Sequence, residues 1–148
     1  MALQVINRQR KIRLDTRFLK KVGQTTLVTA GAHEAECGLL LVSDRAMTRL
    51  NRQYRGIAKS TDVLSFPMRE GPLASLSPNL LGDVVISAEM ADRQATAAGR
   101  SLRDELVALL IHGILHLLGY DHQTPSEAKR MKRLERQFGL PFIETEGG

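Results

Sequence analysis

The chain has 148 residues, of which 43% are hydrophobic and 25% charged, enough for one domain with a real core. That balance excludes wholesale disorder and collagen-like repeats, and a lone cysteine excludes a disulfide scaffold. The net charge of +5 is uneven: residues 1–21 hold seven basic side chains against Asp15, and residues 22–148 hold 14 basic and 15 acidic ones. An anionic partner is the expectation, although a solvated basic surface gives the same count. Aromatic residues make up 4% with no Trp, which disfavours a base-stacking platform.

In chain order, Leu3 to Ile6 reads as a first strand. Asp15 is a plausible N-cap for a helix over residues 16–29 that Gly31 ends. Cys37 lies among apolar neighbours and reads as a buried, inert thiol. Leu39 to Ser43 is an apolar run of strand length, and Asp44 is the N-cap expected for the next helix. There Met47, Leu50 and Tyr54 form an apolar stripe, while Arg45, Arg49 and Arg52 recur on the opposite face. The arginine stripe reads either as a solvated face or as a rim that contacts RNA phosphates.

Asp62 to Phe66 is a strand stopped by Pro67, followed by a Pro- and Gly-rich loop over residues 67–80. Gly82 to Ser87 is the fourth strand, and residues 88–98 form a helix ended by Gly99. Ser101 and Asp104 resemble a capping box, and from Leu106 to Leu118 every residue but His112 and His116 is apolar or Gly. A helix apolar all round is a central buried helix, and this run is too short and too polar to span a bilayer. Thr124, Pro125 and Glu127 open a last helix that presents Ala128, Met131, Leu134 and Phe138 on one face. The elements predict a single α/β (α+β) domain over residues 1–148, a mixed sheet packed with several helices, with residues 143–148 as a loose tail. With no secretory signal segment, a soluble cytoplasmic protein is expected.

Three of the four histidines fall within eleven residues. His112 and His116 lie one helical turn apart on the same face, and Gly119 lets the chain reverse so that His122 returns toward them. Three imidazoles with one open position are the ligand set of a catalytic zinc site, one ion per chain. Ligand type alone also allows nickel, cobalt or copper. The competing reading is a hydrogen-bonded histidine cluster, disfavoured because two rings in an apolar helix would each need partners and a third follows across a glycine turn. Zinc endopeptidases of the metzincin type share the His-x3-His-x2-Gly-x2-His spacing but carry Glu after the first histidine. Here that position is Gly113, so the proton acceptor of a peptidase is missing. Glu105, seven residues before His112, shares its face but lies about 10 Å away along the axis. His33 stands apart as a surface residue.

The segment from His112 to His122, HGILHLLGYDH, resembles the signature of the YbeY family of bacterial metal-dependent endoribonucleases. Asn51 to Gly56, Lys59 to Pro67 and Leu81 to Ser87 match the same family in the same order, over roughly residues 38–140. The resemblance implies one four-stranded mixed sheet with helices around it and a zinc site of His112, His116 and His122 at the end of the central helix. It implies cleavage of single-stranded RNA in maturation of small-subunit (16S) ribosomal RNA, with a part in ribosome quality control. The partners so implied are ribosomal RNA, the small ribosomal subunit and ribosomal proteins, with no membrane. The family's functional arginine falls on Arg55, expected to be catalytic with His112 by gripping phosphate. Asp121 is expected to orient a ligand or to cap the turn, and Ser60, Thr61 and Asp62 to line the cleft. Two rival readings stand beside this one: another zinc hydrolase, and a ribosome-assembly factor that binds RNA and cleaves little.

Overall fold

The computed structural model describes residues 3–67 and 80–142. The loop expected at residues 67–80 lies almost wholly outside them, and so does the tail expected at residues 143–148. In order, the elements are β1 (Leu3–Asn7), α1 (Thr16–Thr29), β2 (Glu36–Val42), α2 (Asp44–Arg55), β3 (Val63–Pro67), β4 (Leu80–Ser87), α3 (Ala88–Ala98), α4 (Leu102–Leu117) and α5 (Pro125–Gly139), closed by a 3₁₀ turn at Leu140–Phe142.

The four strands form one mixed sheet of order β1-β2-β4-β3. β1, β2 and β4 run parallel, with Val5 opposite Leu39 and Leu40 opposite Val85, while β3 pairs antiparallel to β4 with Ser65 opposite Val84. The central strands carry apolar runs at residues 39–42 and 84–86 because both sheet faces are covered. Leu39, Leu41, Val84 and Ile86 point into a large core with α1, α3, α4 and α5. Leu40, Val42 and Val85 point the other way, into a smaller core with Met47 and Phe66 under α2. α4 is the central helix: Leu110, Ile111, Ile114 and Leu115 are fully buried within the large core.

The local signals account for most boundaries. Asp15 caps α1 by accepting the Phe18 N–H, Ser101 caps α4 through Asp104, and Thr124 caps α5 through Glu127. One expectation is corrected. Ser43, not Asp44, caps α2, accepting the Ala46 N–H at 3.2 Å, and Asp44 is the first helical residue. The Asp44 carboxylate is taken up elsewhere: it accepts the Ser60 hydroxyl at 2.9 Å and the Ser87 hydroxyl at 2.7 Å, and it pairs with Arg93 at 2.6 Å. All four strands also run past their expected limits: β1 ends at Asn7, β2 begins at Glu36, β4 begins at Leu80, and β3 includes Pro67, an edge position where a missing N–H costs no ladder bond.

Cys37 is buried on β2, and its thiol is pushed up to about 12, by burial first and by the neighbouring Asp83 charge second. It is inert, as the sequence suggests.

Candidate metal centre

α4 carries His112 and His116 at its C-terminal end. The helix then stops in a Schellman turn: Gly119, at φ +101°, donates to the His116 carbonyl, and Tyr120 donates to the Leu115 carbonyl, both at 3.1 Å. A side chain at position 119 would strain this backbone, so glycine is what turns the chain and brings His122 back. The three imidazoles form a near-equilateral triangle, with ring centres 6.3 Å apart for His112 and His116, 5.8 Å for His112 and His122, and 5.9 Å for His116 and His122.

These dimensions suit a single ion. Zinc–nitrogen bonds of about 2.0–2.1 Å put a bound ring centre about 3.2 Å from the metal, and the middle of this triangle lies about 3.5 Å from each ring centre. The ligating atoms that lie within 4.8 Å of one another are those of His116, Asp121 and His122, a set that takes in Asp121 and leaves out His112. Asp121 Oδ1 accepts the His122 N–H at 2.7 Å, which fixes the turn that holds His122.

His112 has a partner that the histidine spacing did not reveal. Its Nδ1 lies 3.1 Å from Glu135 Oε1 on α5, so Nε2 is the nitrogen left for the cavity. The hydrogen bond that His112 donates to Glu135, joined by the charges of Glu135 and Asp62, raises the His112 pKa against the opposing effect of burial. A carboxylate behind a ligating imidazole fixes its tautomer and raises its basicity. One signal for it was in the sequence, because Glu135 follows the core residue Met131 by one turn and therefore faces inward with it.

The three histidines share a cavity of about 220 Å³ with Arg55, Val63, Leu64 and Ser65. Arg55, the last residue of α2, reaches the edge strand β3, where its Nη2 donates to the Ser65 carbonyl at 2.9 Å. Its guanidinium lies 5.2 Å from the centre of the Phe66 ring, which Tyr54 meets edge-on at 5.0 Å. One donor of the fork is thus anchored, the plane is supported from below, and the remaining donors stay available.

Gly113 has a structural cause. A Cβ there would stand 2.6 Å from Val84 Cγ1 and 2.9 Å from Cγ2, and the Ser65 hydroxyl donates to the Gly113 carbonyl at 3.1 Å. α4 lies so close on β4 that position 113 has no room for any side chain, least of all a glutamate. Glu105 is likewise unavailable, being buried and held by Arg100 Nε at 2.9 Å. Ser60 and Thr61 turn to the Asp44 and Asp62 carboxylates, and the strand residues lining the cavity are the next ones, from Val63 to Ser65. Arg45, Arg49 and Arg52 are exposed on α2, and of the four arginines of that helix only Arg55 lines this cavity. His33 is exposed, outside the site.

Among the described residues, no helix is long and apolar enough to cross a membrane. The fold is similar to that of a Thermotoga maritima protein solved in solution, at a TM-score of 0.62 and 22% identity over 99% of both chains. In sequence, the chain is 41% identical to the Endoribonuclease YbeY of Geobacter sulfurreducens over 99% of both chains. It is 48% identical to that of Pelotomaculum thermopropionicum over 93% of this chain and 94% of the other. The family model described as Endoribonuclease YbeY matches residues 4–141. With that span and those identities joined to the histidine triangle and Arg55, the chain belongs to the YbeY endoribonuclease family.

Proposed function

We propose that this chain is a zinc-dependent endoribonuclease that cuts single-stranded RNA in the maturation of small-subunit ribosomal RNA. The observation that carries the reading is the histidine cavity itself: three imidazoles share it with the Arg55 guanidinium, and the Asp121 carboxylate stands beside His116 and His122. The guanidinium beside the imidazoles attracts a phosphodiester. The names of the relatives agree with it.

In this reading His112, His116 and His122 hold the ion, one per chain. A bound zinc supplies a Lewis acid for a non-bridging phosphate oxygen and lowers the pKa of a water to about 7. The protein's own part is positioning. Glu135 keeps the His112 proton on Nδ1 and so presents Nε2 to the cavity. Asp121 holds the His122 turn through its backbone N–H. Arg55, anchored on Ser65 and Phe66, presents its free donors to the phosphate and stabilises the negative charge that grows in the pentavalent transition state. The aromatic ring beside the cavity, Phe66, is buried and serves Arg55 rather than bases, so weak sequence preference follows.

The test is a paired incubation of protein of known metal content with single-stranded RNA and with an unfolded protein, beside His112→Ala and Arg55→Ala. Cleavage of RNA alone, lost in both variants, is expected. Cleavage of the protein, or tight RNA binding without turnover and insensitive to a chelator, overturns the proposal. The cytoplasm and the small ribosomal subunit are where such an enzyme would meet its substrate. A pull-down of small-subunit particles by the intact chain checks the second.

A further inference from the structure

α2 is a ridge with a hollow on each flank. Arg55 and Gln53 are two residues apart on a helix and therefore point to opposite sides. Arg55 enters the histidine cavity. Gln53 enters a second and larger one, of about 410 Å³, between α2, the central strand β2 and the residue that follows the edge strand β1. Its floor is apolar, made by Leu40, Val42 and Leu50, and its rim carries Arg8 and Arg49. Among the described residues no carboxylate lines it and neither arginine is in an ion pair.

Arg8 is rigidly presented. Its N–H extends the β1–β2 ladder by donating to the Leu41 carbonyl at 2.9 Å. The next residue, Gln9, is buried and bridges the turn, donating to Ile12 O at 2.8 Å and accepting the Ile12 N–H at 2.9 Å. The other N-terminal cations are directed elsewhere: Lys11 pairs with Glu89 at 3.2 Å, and Arg13 lines a separate cavity beside Asp15 and Arg103. Of the basic excess in residues 1–21, Arg8 is the part built into this groove.

We infer that this groove is a second binding site for single-stranded RNA, taking a stretch of the strand remote from the scissile phosphate. Arg8 and Arg49 grip phosphates, the apolar floor packs a base or ribose face, and Gln53 offers an amide to a base edge. The strand reaches the histidine cavity by crossing the exposed side of α2, where Arg45 and Arg52 stand. The inference rests on the RNA reading of the histidine site and names how that substrate is held beyond it.

The experiment separates the two. With a chelator present, the intact chain, Arg8→Ala, Arg8→Lys and Gln53→Ala are titrated by fluorescence anisotropy with a fluorescent single strand of about 16 nucleotides, at several salt concentrations. The same chains with zinc then cleave that strand and a trinucleotide. Arg8→Ala is expected to weaken binding on the order of tenfold and to flatten the salt slope by about 0.7, one phosphate contact. Arg8→Lys keeps the slope. The wild-type preference for the long strand shrinks in Arg8→Ala and Gln53→Ala. Binding and preference unchanged in both variants overturn the groove, and so does a groove that takes a protein segment instead, because RNA affinity would then not respond. If no strand is cleaved by the wild type while Arg8→Ala still weakens binding, the groove stands and the nuclease reading falls.

Discussion

At the scale of single residues, the gathering of the three histidines in one cavity was legible because their spacing is local. Glu135 was not, since its contact spans 23 residues and depends on how α5 lies on α4. Removing that carboxylate tests its work. Glu135→Gln is expected to lower zinc affinity about 10–100-fold while the far-ultraviolet circular dichroism of the protein stays native, measured by chelator competition. Arg55 was legible as a position and illegible as a geometry, because nothing in the sequence shows that the Ser65 carbonyl and the Phe66 ring will hold it. Gly113 was read only for the glutamate it lacks, and the cause turned out to be Val84. Gly113→Ala should therefore cost about 1–3 kcal/mol by urea denaturation, the range for forcing atoms into a packed layer.

At the scale of elements, caps and turns were legible to within a residue or two, as the Ser43–Asp44 exchange shows. Both residue types cap helices, and the choice falls to tertiary partners: Asp44 is claimed by Ser60, Ser87 and Arg93. Through them it joins the start of α2 to the segment before β3 and to α3. Burial alone would raise the Asp44 carboxyl, but hydrogen bonds from Arg93, Ser87 and Ser60 and the Arg93 charge outweigh it and hold the group below the ordinary carboxylate value. The stability it lends is therefore present above the unfolded value of about 3.9 and fades as pH falls through the lower folded one. Asp44→Asn should be less stable than wild type at pH 7, and the gap in urea midpoint should close on acidification below about pH 4. A gap that stayed constant to pH 2 would deny the carboxylate its role.

At the scale of the whole molecule, the presence of a mixed sheet was legible and its order was not. The order β1-β2-β4-β3 sets β4 beside β2, across all of α2 and β3, a non-local pairing that no short window of sequence shows. That order brings β3, with Ser65, to the edge beside α4, so the site draws on α2, β3, α4 and the turn before α5. An ion held by both α4 and that turn would clamp two parts of the fold. Thermal unfolding should then depend on zinc concentration, with the folded state favoured by about 2.7 kcal/mol at a hundredfold excess over Kd, read as a rise in Tm that a chelator reverses. His116→Ala should abolish that dependence.

The contact between Gly113 and Val84 also bears on what this scaffold can become. A single base change separates a glycine codon from one for glutamate, so on paper one mutation supplies the proton acceptor of a peptidase. The packing closes that route, because the new side chain would have to push α4 off the sheet and take His112 and His116 with it. Any passage between the two chemistries has to begin with a smaller residue at position 84 and a wider gap between the layers. Laboratory evolution of this chain toward protease activity should therefore stall at position 113 unless Val84 is allowed to vary in the same library.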